Sequence, residues 1–160
     1  MLADENAQTA PAHNTQVTSH IFHLVFNADA LSVRAALRSA VARFIRQIST
    51  DEAGTLELVL AEVMNNIVEH SYVGRAPGEI TLSIVRDRRG LSCSISDDGV
   101  PLPADHLLRN ISQKPRPEPQ NLPEGGFGWF LIRDLAEDLG YFRDGGRNLL
   151  AFRLPISTKP

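Results

Sequence analysis

Glu62, Asn66 and His70 recur at intervals of four, the spacing that stacks side chains into one ladder along a helix. The surrounding stretch, Leu56 to Tyr72 (LELVLAEVMNNIVEHSY), supports such a helix, because Leu56, Val59, Leu60, Val63 and Ile67 fall at helical spacing and cover one face. At about 100° per residue, Glu62 lies outside this stripe, Asn66 at its margin and His70 inside it. A row so placed looks into a cleft between the helix and whatever lies above it. A carboxamide oxygen is a hard, neutral ligand for a magnesium ion whose other ligands are waters and phosphates. A carboxylate one turn earlier suits the taking or orienting of a proton from an attacking hydroxyl. Taken alone, the three residues also fit a solvated helix edge, where Glu and Asn are common. Residues further along the chain decide between the two.

Two further stretches carry chemistry. Leu91, Cys93 and Ile95 alternate with Ser92, Ser94 and Ser96, and this strand pattern runs straight into Asp97-Asp98-Gly99. Later, Glu124-Gly125-Gly126-Phe127-Gly128 leads into an apolar helix expected from Trp129 to about Leu139. Glycines before a helix let backbone N–H groups approach phosphate oxygens at the positive helix end. Alone, a G-x-G of this kind is weakly specific.

The remaining elements position these residues. His20 to Phe26 reads as a strand, in which His23 is a core or sheet residue rather than a ligand, since no partner cluster accompanies it. Asn27 or Asp29 caps a helix expected to reach about Gln47, with Leu37, Val41, Phe44, Ile45 and Ile48 inward and Arg34, Arg38, Arg43 and Arg46 on the other face. Ser49 and Glu52 match the S-x-x-E capping box that opens the central helix, which ends near Ser71 before the GRAPG turn. Glu79 to Arg86 and Leu91 to Ser96, joined by DRRG, form an antiparallel hairpin with Cys93 as a small buried hydrophobe. Next come a short helix over 103–110 and a proline-rich loop or lid over 112–123. The end is another hairpin, Gly140 to Arg143 and Asn148 to Ile156, turning at Asp144-Gly145-Gly146.

Whole-chain properties bound the function. At 160 residues the chain makes one domain with a substantial core, expected over 19–157 behind a polar, nonperiodic tail over 1–18. A net charge of −3 favours neither a nucleic-acid nor an acidic-membrane partner. The single cysteine fits a reducing compartment. No apolar run approaches the roughly 18 to 20 residues of a membrane span, and the first residues lack the basic start and apolar core of a signal peptide. The expected location is cytoplasmic.

The order of the pieces is informative: a helix with E-x-x-x-N-x-x-x-H, a strand ending in D-x-G, a loose loop, then G-x-G opening a helix. This order resembles the GHKL (Bergerat-fold) ATPases, and within them the small bacterial anti-sigma factor serine kinases of the RsbW and SpoIIAB type. The resemblance covers about residues 20–156 and is carried by AEVMNNIVEHSY, ISDDGVPLP and GGFGWFLIRDLAEDLGY. It implies a two-layer α/β sandwich, with a mixed, mostly antiparallel sheet and helices on one face. It also implies roles: Asn66 resembles the asparagine that holds magnesium, and Glu62 the proposed general base. Asp97 matches the aspartate that accepts from the adenine amino group, and Gly99 the glycine beside the purine. Gly126 and Gly128, with the amides of Phe127 and Trp129, match the loop around the ATP phosphates. Lys114 and Arg116 are the lid's candidate cations. The implied activity is Mg-ATP-dependent phosphorylation of a serine on a small antagonist (anti-anti-sigma) protein, with sequestration of a sigma factor or an equivalent target and a possible homodimer. The alternative is an ATP-binding partner-switch module without kinase turnover. A histidine-kinase fragment is disfavoured, because no dimerising segment with a phosphoacceptor histidine precedes residue 20.

Overall fold

The computed structural model describes residues 20–102 and 127–157. The expected tail, the helix over 103–110, the lid with Lys114 and Arg116, and Gly126 lie outside these residues, and Phe127 and Gly128 are described by their backbone alone. In chain order the elements are β1 (His20–Asn27), α1 (Ala30–Phe44), α2 (Thr50–Asn66) continued by a π-helical turn (Ile67–Ser71), β2 (Glu79–Asp87), β3 (Gly90–Asp97), α3 (Phe127–Leu135), β4 (Glu137–Asp144) and β5 (Arg147–Leu154).

The five strands form one sheet in the order β1-β2-β3-β5-β4, and each of its four pairings is antiparallel. Side-chain alternation then separates two faces. Ile80, Leu82 and Ile84 of β2, Leu91, Cys93 and Ile95 of β3, and Leu150, Phe152 and Leu154 of β5 are buried in a single core with the helices. Thr81, Ser83, Ser92, Ser94 and Ser96 take the opposite phase. His23 lies there too, exposed, with Nδ1 2.7 Å from the Ser83 hydroxyl, so of core and sheet residue it is the latter. Helices on one face of an antiparallel sheet make the two-layer α/β sandwich.

Asp29 caps α1 by accepting from the Ser32 N–H at 2.8 Å. Its buried face is Val33, Ala36, Ala40 and Phe44. The expectation that Ile45 packs inward fails, for it is 54% exposed. The helix ends at Phe44, and a tighter turn, closed by the Gln47 N–H on the Phe44 carbonyl, turns Ile48 into the core instead.

The capping box of α2 forms as predicted, with Ser49 Oγ accepting from the Glu52 N–H and Glu52 Oε2 from the Ser49 N–H. Leu56, Val59, Leu60, Val63, Met64 and Ile67 are all at most 2% exposed, so α2 is the helix on which the core is built. Its neighbours in the helical layer are α1 and α3.

The expected helix from Trp129 to Leu139 is cut short. It stops at Leu135, and Leu139 belongs to β4. Two side chains draw the chain into the sheet edge: Glu137 and Asp138 both reach Arg153 of β5, at 2.9 and 2.8 Å. Asp138 adopts φ 53° to do so, and the pairing register shifts between Glu137 and Gly140. The last hairpin turns on Gly145 and Gly146, both at positive φ, as a two-residue turn that follows the strand twist requires.

Glu52 does a second job. Its Oε1 accepts from the Ser157 N–H at 2.6 Å and the Ser157 hydroxyl at 2.9 Å, tying the chain beyond β5 to the start of α2. Burial raises the Glu52 carboxyl, but donors on Ser49 and Ser157 outweigh it and hold the group below its ordinary value. A depressed folded-state value means that the carboxylate stabilises the fold fully above the unfolded value of about 4.3, and that this is lost as pH falls through the folded value. Glu52→Gln is therefore expected to be less stable than the parent at pH 7, with the gap closing in acid. Urea unfolding at pH 7 and at steps down to about pH 3 measures this; a gap that stays constant would show that the charge contributes nothing.

Candidate functional site

The core-facing rows of β3 and β5 are apolar until their last pair. Asp97 continues the phase of Leu91, Cys93 and Ile95, Asn148 that of Leu150, Phe152 and Leu154, and the two lie directly opposite in the ladder. Each is 1% exposed. Asp97 Oδ1 accepts from the Gly99 N–H at 2.8 Å and from Asn148 Nδ2 at 3.0 Å. Asn148 also donates to the Val100 carbonyl at 2.8 Å, and its own oxygen accepts from Tyr141 and from Arg143 Nη1. A carboxylate thus sits at the sheet end, its orientation fixed by a polar cluster.

The helical side of the site is the end of α2. Asn66 is the last α-helical residue, and the chain then widens into one π-helical turn, a local form often found at functional sites. The wider turn breaks the ladder of fours. His70, expected inside the apolar stripe, is exposed beside Glu69, and Ile67 and Ser71 are buried instead. Asn66 is 7% exposed and Glu62, one turn earlier, is half-buried. The Asn66 Nδ2 and the Ser71 hydroxyl are buried without a hydrogen-bond partner among the described residues.

The two sides meet at Ser71. Its carbonyl accepts from the Val100 N–H at 2.7 Å, and a Cβ on Gly99 would collide with the backbone and Cβ of Ser71. Gly99 is thus required by the close approach of the turn after β3 to the π turn. Tyr72 adds a second tie, donating to Asp98 Oδ1 at 2.8 Å. Burial first, then the Asp98 bond and the nearby Asp97 charge, pushes the Tyr72 hydroxyl well above its ordinary value, so it remains a donor.

Asp97, Gly99 and the end of α2 are therefore brought together. Phe127, Gly128 and Trp129 form the first turn of α3, which packs on α2. That turn carries the unsatisfied N–H groups of a helix start, and Trp129 is half-buried against the core. Asn148, Tyr141, Arg143 and Tyr72 were missed from sequence. For Asn148 a signal existed: in NLLAFRLPI it stands in the inward phase of Leu150, Phe152 and Leu154, a polar residue where the pattern calls for an apolar one.

No group of three or more His, Cys, Asp or Glu side chains gathers among the described residues. A single buried carboxamide does not make an all-protein metal cage. Its side-chain oxygen suits a magnesium ion that arrives with phosphates and keeps several waters, and Asn66 is the residue that would hold it, while Nδ2, a donor, would meet an acceptor on the same ligand.

Comparison with known proteins agrees with this architecture. A family model described as histidine kinase-like ATPase domain matches residues 26–154. The chain is 31% identical over 103 residues to the serine-protein kinase RsbW of Bacillus cereus (strain ATCC 10987 / NRS 248), covering 62% of each chain. It is 29% identical over 101 residues to the protein of that name from Bacillus thuringiensis (strain Al Hakam), again covering 62% of each. The chain thus spans a little under two thirds of the length of these relatives. With four fifths of its residues inside the matched family model, an antiparallel sheet under three helices among the described residues and a buried aspartate at the sheet end facing the end of the central helix, the chain belongs to the histidine kinase-like ATPase domain family.

Proposed function

We propose that this chain is an ATP-dependent protein serine kinase that works as a partner switch. It would transfer phosphate to a serine of a small antagonist protein and otherwise hold a sigma factor or an equivalent target, acting as a homodimer in the cytoplasm. The observation that carries the reading is Asn66, a buried carboxamide whose nitrogen has no partner among the described residues, at the end of the helix that also bears Glu62. Buried polar groups in folded proteins are almost always paired, so an unpartnered donor there supports a ligand that brings an acceptor, such as a phosphate oxygen.

The roles come from position. Asp97 offers an acceptor-only carboxylate, which belongs at the base end of ATP because it would repel phosphates. The first turn of α3, with Gly126, Phe127, Gly128 and Trp129, would hold the phosphate oxygens by backbone N–H groups. Magnesium, when bound at Asn66, would neutralise charge on those oxygens. Glu62, one turn earlier, would orient the incoming serine hydroxyl and accept its proton. Little covalent chemistry is asked of the protein, since phosphoryl transfer depends mainly on positioning and charge.

Three variants test the roles separately. Asn66→Ala is expected to abolish the magnesium-dependent part of ATP binding. Calorimetry giving the parent protein equal affinity with and without magnesium would remove the metal from the scheme. Asp97→Asn can present a donor where the parent presents only acceptors, so preference for ATP over GTP should shrink by about 1 to 2 kcal/mol. Unchanged discrimination in competition would place the base elsewhere.

Glu62→Gln keeps the volume and loses the basic carboxylate. Incubated with labelled ATP, magnesium and co-purified partners, the parent should label a small protein, and the variant should do so on the order of 10²- to 10⁴-fold more slowly. ATP and partner binding should persist, so the variant holds its antagonist without releasing it. Transfer at the parental rate would dismiss Glu62 as the base. No transfer by the parent would leave an ATP-binding switch module without turnover.

A further inference from the structure

Asn148 lies on β5, across the sheet from Asp97 and remote in sequence from every motif that defines the site. Its amide makes four close contacts. Nδ2 donates to Asp97 Oδ1 at 3.0 Å and to the Val100 carbonyl at 2.8 Å. Oδ1 accepts from the Tyr141 hydroxyl and, at 2.8 Å, from Arg143 Nη1. The amide cannot be turned over. A guanidinium has donors only and an ionised carboxylate acceptors only, so reversal would set N–H against Arg143 and oxygen against Asp97. Tyr141 and Arg143 therefore dictate that Asn148 faces Asp97 with a donor.

The consequence falls on Asp97. Its Oδ1 already accepts from the Gly99 N–H, so the Asn148 bond gives this oxygen two donors. No hydrogen bond among the described residues falls on Oδ2. The same hairpin also grips the turn after β3: Arg143 Nη1 donates to the Gly99 carbonyl at 3.0 Å, and the Tyr141 oxygen accepts from the Leu102 N–H at 3.1 Å.

We infer that Asn148 is a positioning residue for base selection: held by Tyr141 and Arg143, it occupies Asp97 Oδ1 and fixes the carboxylate so that Oδ2 alone meets the amino group of a bound purine. This rests on the reading of Asp97 as the base contact. Asn148 itself need not touch the nucleotide. A carboxylate with both oxygens free could rotate to meet donors at several angles, whereas one pinned at Oδ1 presents a single acceptor in a single direction.

The test uses the full chain with magnesium and reads the ATP-to-GTP affinity ratio by competition, with inorganic tripolyphosphate as a probe of the phosphate end. Asn148→Ala is expected to narrow the ratio on the order of tenfold, the effect of one hydrogen bond to a charged group, while tripolyphosphate affinity changes by less than about twofold. In an Asp97→Ala background, Asn148→Ala should leave the ratio unchanged, because the effect passes through Asp97. Equal weakening of ATP, GTP and tripolyphosphate would make Asn148 a purely structural residue and overturn the inference. An Asp97→Ala variant that keeps the parental ratio would overturn it differently, by removing the reading beneath it. Should Asn148→Ala lose its fold by circular dichroism, Tyr141→Phe decides: it removes one of the two donors that hold the amide and is expected to narrow the ratio about threefold, and an unchanged ratio defeats the proposal.

Discussion

Asp97 is 1% exposed, at the end of a row of buried apolar side chains. A carboxylate so far from water is destabilising by several kcal/mol unless donors meet its oxygens. Much of the nearby architecture answers that demand. Gly99 and Asn148 supply the donors, and Tyr141 and Arg143 hold Asn148 in the orientation that donates. The β4–β5 hairpin is therefore more than a sheet edge, since its inward side chains hold the turn that carries the acid. Its bulge and the Arg153 pairs with Glu137 and Asp138 fix where that hairpin begins.

The second constraint is the meeting of the sheet end with α2. An α-helix continued at 3.6 residues per turn would have carried His70 into the core-facing stripe. The π-helical turn instead buries Ser71, and its carbonyl receives the Val100 N–H. This contact is close enough to exclude any side chain at position 99. A glycine read from sequence as leaving room for a ligand thus also leaves room for the protein's own backbone. One missing Cβ sets the approach of the two segments that bear Asn66 and Asp97.

Most of the fold was legible because its signals are local. The capping box at Ser49 and Glu52, the alternation in β2 and β3, the Asp29 cap and the Gly145-Gly146 turn each depend on neighbours in sequence. One error has a non-local cause and another a local one. Leu139 reads as helical by period, yet ion pairs from Glu137 and Asp138 to Arg153, well over a dozen residues later, take the chain into a strand. Ile45 reads as inward until the helix ends one residue earlier. The site divides the same way. Glu62, Asn66, Asp97 and Gly99 stand in short spaced motifs, whereas Asn148, Tyr141 and Arg143 act only through a cross-sheet pairing that no local pattern contains.

The site therefore combines two kinds of order. On the helix, the Asn66 nitrogen has no partner among the described residues, a cost of about 1 to 3 kcal/mol that an acceptor on a bound ligand would relieve. At the sheet end, by contrast, Asp97 Oδ1 is already doubly satisfied before any ligand arrives. The sheet end is thus preorganised and the helix end is left incomplete. A preorganised acceptor loses little freedom on binding and so favours selectivity. An unsatisfied amide gains its partner only when the ligand comes, so it couples binding to local stability.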